Sequence, residues 1–326
     1  MQNCTITVDR LPDGRFRATC HLLPDAEAVA ATEAEARARI ERALEERLKQ
    51  RLAEPTAPLN PIDVLWLNLR ADRKKAFIPF ITAGDPDLAA TTLLAKKLRA
   101  SGASIIEVGF PYSDPIADGP VIQASYTRAL AKGITLDAIF AWAKTQHNEA
   151  PAAPLVGMMS YSLIHRRGPD AFLDAAKRAG FSGLIVPDLP IDEAETLTRD
   201  AARRDLKLIH LVTPTTPPDR AARIARLSTG FLYVVSVAGI TGERDRLPDE
   251  LLHQLRRLRG ETDLPLCVGF GVSRPDHVQM LRDHVDGIIV GSAIVRKLEG
   301  DKPVAAMVDE VGDLSRTLVA ALNPTA

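Results

Sequence analysis

The sequence predicts an α/β protein, a (β/α)8 barrel preceded by a small α+β domain, on the basis of two observations. From residue 62 onward, a short apolar run, a turn and a helical stretch alternate to the end of the 326 residues, as in barrels of this class. The apolar runs are nearly continuous, which is typical of parallel strands buried on both faces. The eight predicted strands are residues 77–82, 105–109, 155–159, 184–188, 208–212, 231–236, 265–270 and 287–291.

Residues 1–54 differ in pattern and predict a small domain that begins with a hairpin. Residues 5–8 and 16–22 alternate between apolar and polar side chains, as half-buried strands do. The Pro-Asp-Gly sequence at residues 12–14 is a turn signal between them. We therefore expect two antiparallel strands at the start of the chain.

A helix is predicted after the hairpin. Thr32, with Glu35 three residues later, forms a capping-box pattern. A hairpin with one helix on its face resembles the small HicB-like fold. Two roles fit this domain: the helix covers the sheet with a solvated charged face, or the domain mediates self-association or docking. The apolar positions at helical spacing are Ile40, Leu44, Leu48 and Leu52.

A proline-rich segment, residues 55–61, predicts a stiff linker between the two domains. The barrel domain is then residues 62–326. Residues 62–69 precede the first barrel strand and have helical spacing, so we expect an additional helix that closes the bottom of the barrel.

The composition excludes several classes of protein. A net charge of -1 with 5% aromatic residues gives no basic, ring-bearing face for nucleic acid, so the partner is a small molecule or a protein. The three cysteines have no CxxC spacing, and the N-terminus lacks a signal-peptide pattern, which together predict a cytoplasmic protein. No apolar run approaches the roughly 18 to 20 residues that span a bilayer.

The most informative segment is an acidic, Gly- and Pro-rich loop after the second strand. Glu107 lies late in that strand, Asp114 and Asp118 lie in the loop, and Asp188 follows the fourth strand. In a barrel these positions share the catalytic face. Asp188 and Asp118 also fit a helix-capping role. Glu107 does not, because a buried carboxyl is costly and acquires a raised pKa suited to acid–base chemistry.

Glycines at the ends of the last three strands predict a phosphate site. They occur at residues 239–242, 269–271 and 291–292. Glycine allows backbone N–H groups to approach an anion, and the last two loops of many barrels bind phosphate. The pair at 269–271 lacks the third glycine of a dinucleotide fingerprint, so no nucleotide cofactor is predicted.

The absence of other motifs narrows the chemistry. No predicted strand ends in a lysine that could form an imine, and Lys207 lies at the entrance of strand five, on the opposite face. The histidines lack HxH or HxxxH spacing, so no metal site is predicted, and His210 fits a buried core histidine. Proton transfer by carboxylates on a phosphate-anchored substrate remains.

Four segments resemble the tryptophan synthase alpha subunit, and the resemblance covers about residues 62 to 326. The long acidic segment is the most specific of the four. They are FIPFITAGDP at 77–86, EVGFPYSDPIADGPVIQ at 107–123, GITG at 239–242 and GFGVS at 269–273.

The resemblance implies a lyase of tryptophan biosynthesis that cleaves indole-3-glycerol phosphate into indole and glyceraldehyde 3-phosphate by a retro-aldol reaction. It implies that Glu107 is the general acid and base and that Asp118 holds the indole N–H. It also assigns substrate contacts and phosphate ligands. The substrate contacts are Phe80, Tyr233, Thr241 and Phe270, and the phosphate positions are Gly242, Gly271, Gly291 and Ser292.

The resemblance further implies a partner, a beta subunit that carries pyridoxal phosphate and receives the indole in an alpha2-beta2 heterotetramer. Pro111 and Asp114 match the family segment that contacts this partner. No cofactor and no metal are expected in this chain itself.

Three departures from the family leave alternatives open. Residues 160–162 are Ser-Tyr-Ser where the family has a different, Asn-containing stretch, and Val237 replaces an arginine found in some members. The N-terminal domain of about 60 residues is additional. The alternatives are a stand-alone indole-glycerol-phosphate lyase and a non-catalytic regulatory subunit of the beta subunit.

Overall fold

The chain divides into two compact units, Met1–Leu59 and Asn60–Ala326, in a computed structural model. The first unit has an antiparallel sheet and the second a parallel one. The structure describes residues 6–20, 23–53, 59–115, 118–149, 153–236, 249–269 and 271–324.

The N-terminal unit contains three antiparallel strands, β1 (Ile6–Arg10), β2 (Phe16–Cys20) and β3 (Leu23–Ala30), in the order β1-β2-β3. Helix α1 (Glu33–Ala53) follows. The hairpin is present as predicted. The third strand was missed because Leu-Pro-Asp-Ala at its start has the composition of a turn.

The helix of this unit begins as the capping pattern predicts. The Glu35 N–H donates to Thr32 Oγ1 at 3.3 Å. Ile40 is fully buried against Ala18 and Ala30 of the sheet. Leu44, Leu48 and Leu52 have side chains outside the described part, and the HicB-like assignment stays a prediction.

The second unit is the predicted barrel of parallel strands, which confirms the fold class. Its strands follow the chain in sequence order around the sheet, with β4 hydrogen-bonded to β12. They are β4 (Ala76–Thr82), β5 (Ile106–Gly109), β6 (Leu155–Met158), β7 (Phe181–Ile185), β8 (Lys207–Ile209), β9 (Leu211–Val212), β10 (Leu232–Val235), β11 (Leu266–Gly269) and β12 (Gly287–Val290).

The fifth predicted strand is interrupted at His210. Its two parts pair with different neighbouring strands, and together they close the barrel. β8 pairs with β7 on one side, whereas β9 pairs with β10 on the other. The Tyr233 N–H donates to the His210 carbonyl at 3.1 Å, which bridges the interruption. The nine segments are therefore eight barrel strands.

The fourth strand lies earlier than predicted. Residues 184–188 were expected, but β7 spans Phe181–Ile185. Pro187 has no N–H to donate, so the ladder ends before it. Asp188 consequently lies in the loop, three residues beyond the strand.

Helices surround the barrel, and they alternate with the strands along the chain. In the described residues no helix is both long and apolar enough to cross a membrane. The helices are α2 (Pro61–Ala71), α3 (Leu88–Ala100), α4 (Pro120–Ala131), α5 (Leu136–Glu149), α6 (Tyr161–Arg167), α7 (Pro169–Arg178), α8 (Ala194–Arg203), α9 (Pro218–Leu227), α10 (Asp249–Glu261), α11 (Pro275–Leu281), α12 (Ser292–Val295) and α13 (Val304–Leu322), with a 3-10 turn at Arg296–Leu298.

Helix α2 closes the bottom of the barrel, as predicted. Ile62 and Trp66 are buried in the inner apolar cluster, and the Trp66 ring meets Phe231 edge-on at 6.2 Å. Lys207 lies at this end, where its Nζ is 2.6 Å from a carboxylate oxygen of Asp63 on the helix. The lysine is therefore far from the catalytic face, as the sequence indicated.

Helix α2 begins within the last residues of the segment that the sequence assigns to the linker. Asn60, assigned to the linker, is buried, and its Oδ1 accepts from the Ile62 N–H at 2.9 Å. Its Nδ2 donates to the carbonyls of Ser182 and Asp205 at 3.0 and 2.8 Å. Asn60 and Pro61 thus form the N-cap and first turn of the helix, a common use of an Asn-Pro pair.

Candidate active site

Alternation along β5 places Glu107 inside the barrel. Ile105 belongs to the inner apolar cluster, whereas Ile106 and Val108 pack outward against the helices. Because successive strand side chains point to opposite faces, Glu107 shares the inward face with Ile105. Its strand neighbours in register are Phe80 on β4 and Val156 on β6.

The Glu107 carboxyl is buried and poorly solvated. The residue is 1% exposed, and its Oε2 atom has no hydrogen-bond partner. Desolvation, with a smaller contribution from the negative charge of Asp118, raises the pKa of Glu107 to about 8. At neutral pH this carboxyl is mainly protonated, so it can donate a proton first and accept one afterwards.

Asp118 is the second carboxylate of the site and lies just before helix α4. Burial raises its pKa to about 6, and the charge of Asp188 acts in the same direction. The Tyr112 hydroxyl opposes both by donating to Asp118 Oδ2 at 3.3 Å. The two carboxyls therefore differ in protonation near pH 7, with Asp118 mainly ionised.

Gln123 fixes the loop that carries Asp118. Its Nε2 donates to the Asp118 carbonyl at 2.7 Å and to the Pro115 carbonyl at 3.0 Å. Gly119 precedes the first residue of α4, so the loop enters the helix directly. The side chain of one helical residue thus holds the backbone on both sides of residues 116–117.

Two aromatic side chains lie close to Glu107 inside the barrel. Phe80 and Tyr233 are each 4% exposed within the inner cluster. A side chain at Gly109 would overlap the Phe80 ring, and one at Gly269 would overlap the Tyr233 ring. These two inward glycines provide the space that the rings occupy.

Three of the four predicted phosphate positions, Gly271, Gly291 and Ser292, lie at the same end of the barrel, after β11 and β12. Gly271 has a positive φ of 83°, which favours glycine. Gly291 precedes α12, whose first residue is Ser292, and the first N–H groups of a helix have no partner within it. Thr241, Gly242 and Phe270 lie outside the described residues.

Asp188 caps a helix, although not the next one along the chain. Its Oδ1 accepts from the Tyr161 N–H at 2.8 Å, and its Oδ2 accepts from the Ser160 hydroxyl at 2.6 Å. Ser160 in turn accepts from the Ser162 N–H at 3.1 Å. Residues 160–162, which differ from the family pattern, therefore form the start of α6. Hydrogen bonds to Asp188 connect this helix start to the loop after β7.

His210 is a buried structural histidine, as predicted. Its Nε2 lies 3.3 Å from the Thr198 hydroxyl on α8, and burial lowers its pKa to about 4. Within the described ranges no group of three His, Cys, Asp or Glu residues has the geometry of a metal site.

The sequence did not reveal the roles of Tyr112 and Gln123. Both lie in the acidic segment. Tyr112 is five residues after Glu107, and Gln123 is five residues after Asp118. Their contacts depend on the path of an irregular loop, and the spacing of apolar and polar residues does not predict such a path. The only available signal was their position in the most specific segment of the resemblance.

A parallel (β/α)8 barrel with one buried and one partly buried carboxyl of different acidity at its catalytic face defines an enzyme that transfers protons. The tryptophan synthase alpha chain family matches residues 66–321. The chain belongs to this family. The match begins within helix α2, so the N-terminal unit Met1–Leu59 precedes it.

Individual relatives agree with this assignment. The tryptophan synthase alpha chain of Rhodopirellula baltica is 46% identical over 276 residues, which cover 81% of this chain and 99% of the relative. That of Microcystis aeruginosa is 46% identical, covering 72% and 89%. Among solved structures, the alpha subunit from Legionella pneumophila has 34% identity and a TM-score of 0.73, covering 81% and 99%. A tryptophan synthase complex from Pyrococcus furiosus contains a chain with 36% identity and a TM-score of 0.69, covering 76% and 99%.

Proposed function

We propose that this chain is a lyase that cleaves indole-3-glycerol phosphate into indole and glyceraldehyde 3-phosphate in tryptophan biosynthesis. The observation that carries the proposal is the buried Glu107 carboxyl. Its Oε2 atom lacks a hydrogen-bond partner, and the negative charge of Asp118 contributes to its raised pKa. A structural carboxyl at this depth would have a hydrogen-bond partner or a cation.

Glu107 moves two protons in opposite directions. As a neutral acid it protonates indole C3, which turns the ring into an iminium. As a carboxylate it then removes the proton from the hydroxyl on the carbon attached to the ring. The carbonyl of the aldehyde forms, the bond from that carbon to C3 breaks, and its electron pair restores the neutral indole. A pKa of about 8 suits both steps near neutral pH.

Asp118 stabilises the positive charge that develops on the ring. Its ionised carboxylate accepts a hydrogen bond from the indole N–H, which becomes more acidic when C3 is protonated. Neither an imine-forming lysine nor a metal is needed, because the protonated ring itself accepts the electron pair. Phe80 and Tyr233 contact the ring, and the family resemblance assigns Phe270 and Thr241 to the same substrate site.

The phosphate is held by backbone N–H groups at the ends of the last strands. Gly271 and Gly291 permit close approach, and Ser292 offers the first N–H and a hydroxyl of α12. Gly242 completes the set. A fixed phosphate places the carbon attached to the ring beside Glu107 on each encounter.

The proposed partner is a beta subunit that contains pyridoxal phosphate and takes up the indole, as an alpha2-beta2 heterotetramer in the cytoplasm. This chain itself uses no cofactor. The loop of Pro111 and Asp114 forms the contact, and Asp114 is exposed there. The crystallised complex from Pyrococcus furiosus supports this proposal for a similar chain.

Indole formation from indole-3-glycerol phosphate tests the proposal. The full chain is assayed alone and with a tryptophan synthase beta subunit added. We expect slow release alone and a steep rise with the beta subunit. Fast turnover that the beta subunit does not change would identify a stand-alone lyase. No indole in either assay, together with activation of the beta subunit, would identify a regulatory subunit and overturn the lyase.

A further inference from the structure

The Tyr112 side chain contacts the Asp118 carboxylate directly. Its hydroxyl donates to Oδ2 at 3.3 Å. The Tyr112 ring packs on Tyr126 of helix α4, with ring centroids 5.5 Å apart, and it borders the inner apolar cluster. The ring is thus held by packing while its hydroxyl meets one oxygen of the carboxylate.

We propose that Tyr112 is a positioning residue, whose hydroxyl binds Oδ2 of Asp118 so that Oδ1 remains available to the substrate N–H and the carboxylate stays ionised. The proposal rests on the lyase function proposed above. It assigns a role to a residue for which the family resemblance assigned none.

The surroundings of Asp118 explain why such a donor is needed. Glu107 approaches from β5, Asp188 from the loop after β7, Tyr126 from α4 and Tyr233 from β10, and each has an electrostatic interaction with Asp118. Of the four, Asp188 is the group whose charge raises the pKa of Asp118, because Glu107 and the two phenols are neutral near pH 7. Within the described residues no Lys or Arg lowers the pKa of Asp118, so the hydroxyl hydrogen bond is the contact that favours its charge.

The direction of the expected effect follows from this arrangement. A hydrogen bond to the charged form of a carboxylate lowers its pKa, and its loss raises the pKa. Tyr112→Phe keeps the ring packing and removes only the donor. We therefore expect the pKa of Asp118 to rise by about one unit in this variant.

Carboxyl NMR measures this shift without using activity. The full chain is labelled with 13C at the side-chain carboxyl of aspartate, and the Asp118 signal is identified by its loss in Asp118→Asn. Titrations of the wild type and Tyr112→Phe are compared. Tyr126→Phe is the matched control, because it removes a hydroxyl from the ring that packs on Tyr112, and we expect it to leave the pKa of Asp118 unchanged.

The pH profile of indole formation is the second readout. If the pKa moves from about 6 to about 7, kcat/KM of Tyr112→Phe should fall about fivefold at pH 6 and change little at pH 8. A similar loss at both pH values with an unshifted carboxyl signal would overturn the proposal for Tyr112. A wild type that makes no indole would instead overturn the lyase function, while the NMR titration would still test the hydrogen bond.

Discussion

Two buried polar side chains at opposite ends of the barrel, Asn60 and Glu107, are paired in opposite ways. At the bottom, the Asn60 amide has a partner for its oxygen and two for its nitrogen. At the catalytic end, the Glu107 Oε2 has none, and Asp118 lies close enough to raise the pKa of Glu107. The contacts of Asn60 stabilise the fold, whereas Glu107 retains an unfavourable charge interaction.

This difference shows how one small fold can combine the two requirements. A raised carboxyl pKa is a destabilisation of the charged form in the folded state. The barrel tolerates it because packing and hydrogen bonding elsewhere, including those of helix α2, supply compensating stability. Substitutions at the two ends should therefore change activity and stability separately.

The largest expected effect is on activity at the catalytic end. Glu107→Gln keeps the shape but cannot exchange a proton, so indole formation should fall about 1000-fold or more. Steady-state assays with the beta subunit measure this. Glu195→Gln, an exposed change on helix α8, is the control and should keep full activity. Wild-type turnover in Glu107→Gln would refute the assigned acid–base role.

The next largest effect is on stability at the bottom. Trp66→Ala removes a buried ring from between helix α2 and Phe231 and should lower the free energy of unfolding by about 3 to 5 kcal/mol. Urea denaturation measures it. At temperatures where the variant remains folded, kcat should stay within about twofold of the wild type. A large loss of kcat in folded protein would contradict the separation of the two ends.

A smaller loss should follow from Asn60→Ala. The variant removes an N-cap and leaves the carbonyls of Ser182 and Asp205 without this donor, which should cost about 2 to 3 kcal/mol. Asn68→Ala in the same helix is the matched control, because Asn68 is exposed, and it should change stability by less than about 0.5 kcal/mol. Equal effects of the two would show that the buried amide contributes nothing.

The smallest effect has the opposite sign and depends on pH. The folded pKa of Glu107, about 8, exceeds the ordinary value of 4.5, so ionisation destabilises the fold. The penalty is absent below about pH 4.5, grows up to about pH 8 and is constant above it. Glu107→Gln should thus be more stable than the wild type by on the order of 1 to 2 kcal/mol at pH 8, since the amide is also buried. Denaturation at pH 5 and pH 8 checks this, and a gain that does not grow with pH would contradict it.

Periodicity and composition were enough to predict the barrel, its closing helix and the position of Glu107 late in the second strand. Burial of a strand on both faces leaves a strong apolar signal, and a carboxyl within it stands out. The start of β7 could not be located, because Phe-Ser-Gly at its beginning has no distinctive pattern. The interruption at His210 was invisible for a similar reason, since it depends on the neighbouring strands that pair on each side.

The contacts of the acidic loop were also beyond prediction. Tyr112 and Asp118 are six residues apart in an irregular segment, so no repeat brings them together. The third strand of the N-terminal unit was missed because alanine is weakly represented in strands and Pro-Asp indicates a turn. These features depend on contacts between distant segments, and such contacts leave no local pattern in a single sequence.

Gly109 and Gly269 also determine how the proposed substrate site can be redesigned. Because the rings of Phe80 and Tyr233 fill the space that side chains at these glycines would need, a larger residue at either glycine would displace a ring. Room for a bulkier indole analogue should therefore be made by shortening Phe80. We expect a library that varies Phe80 and Tyr233 while keeping both glycines to yield folded variants with an altered substrate range.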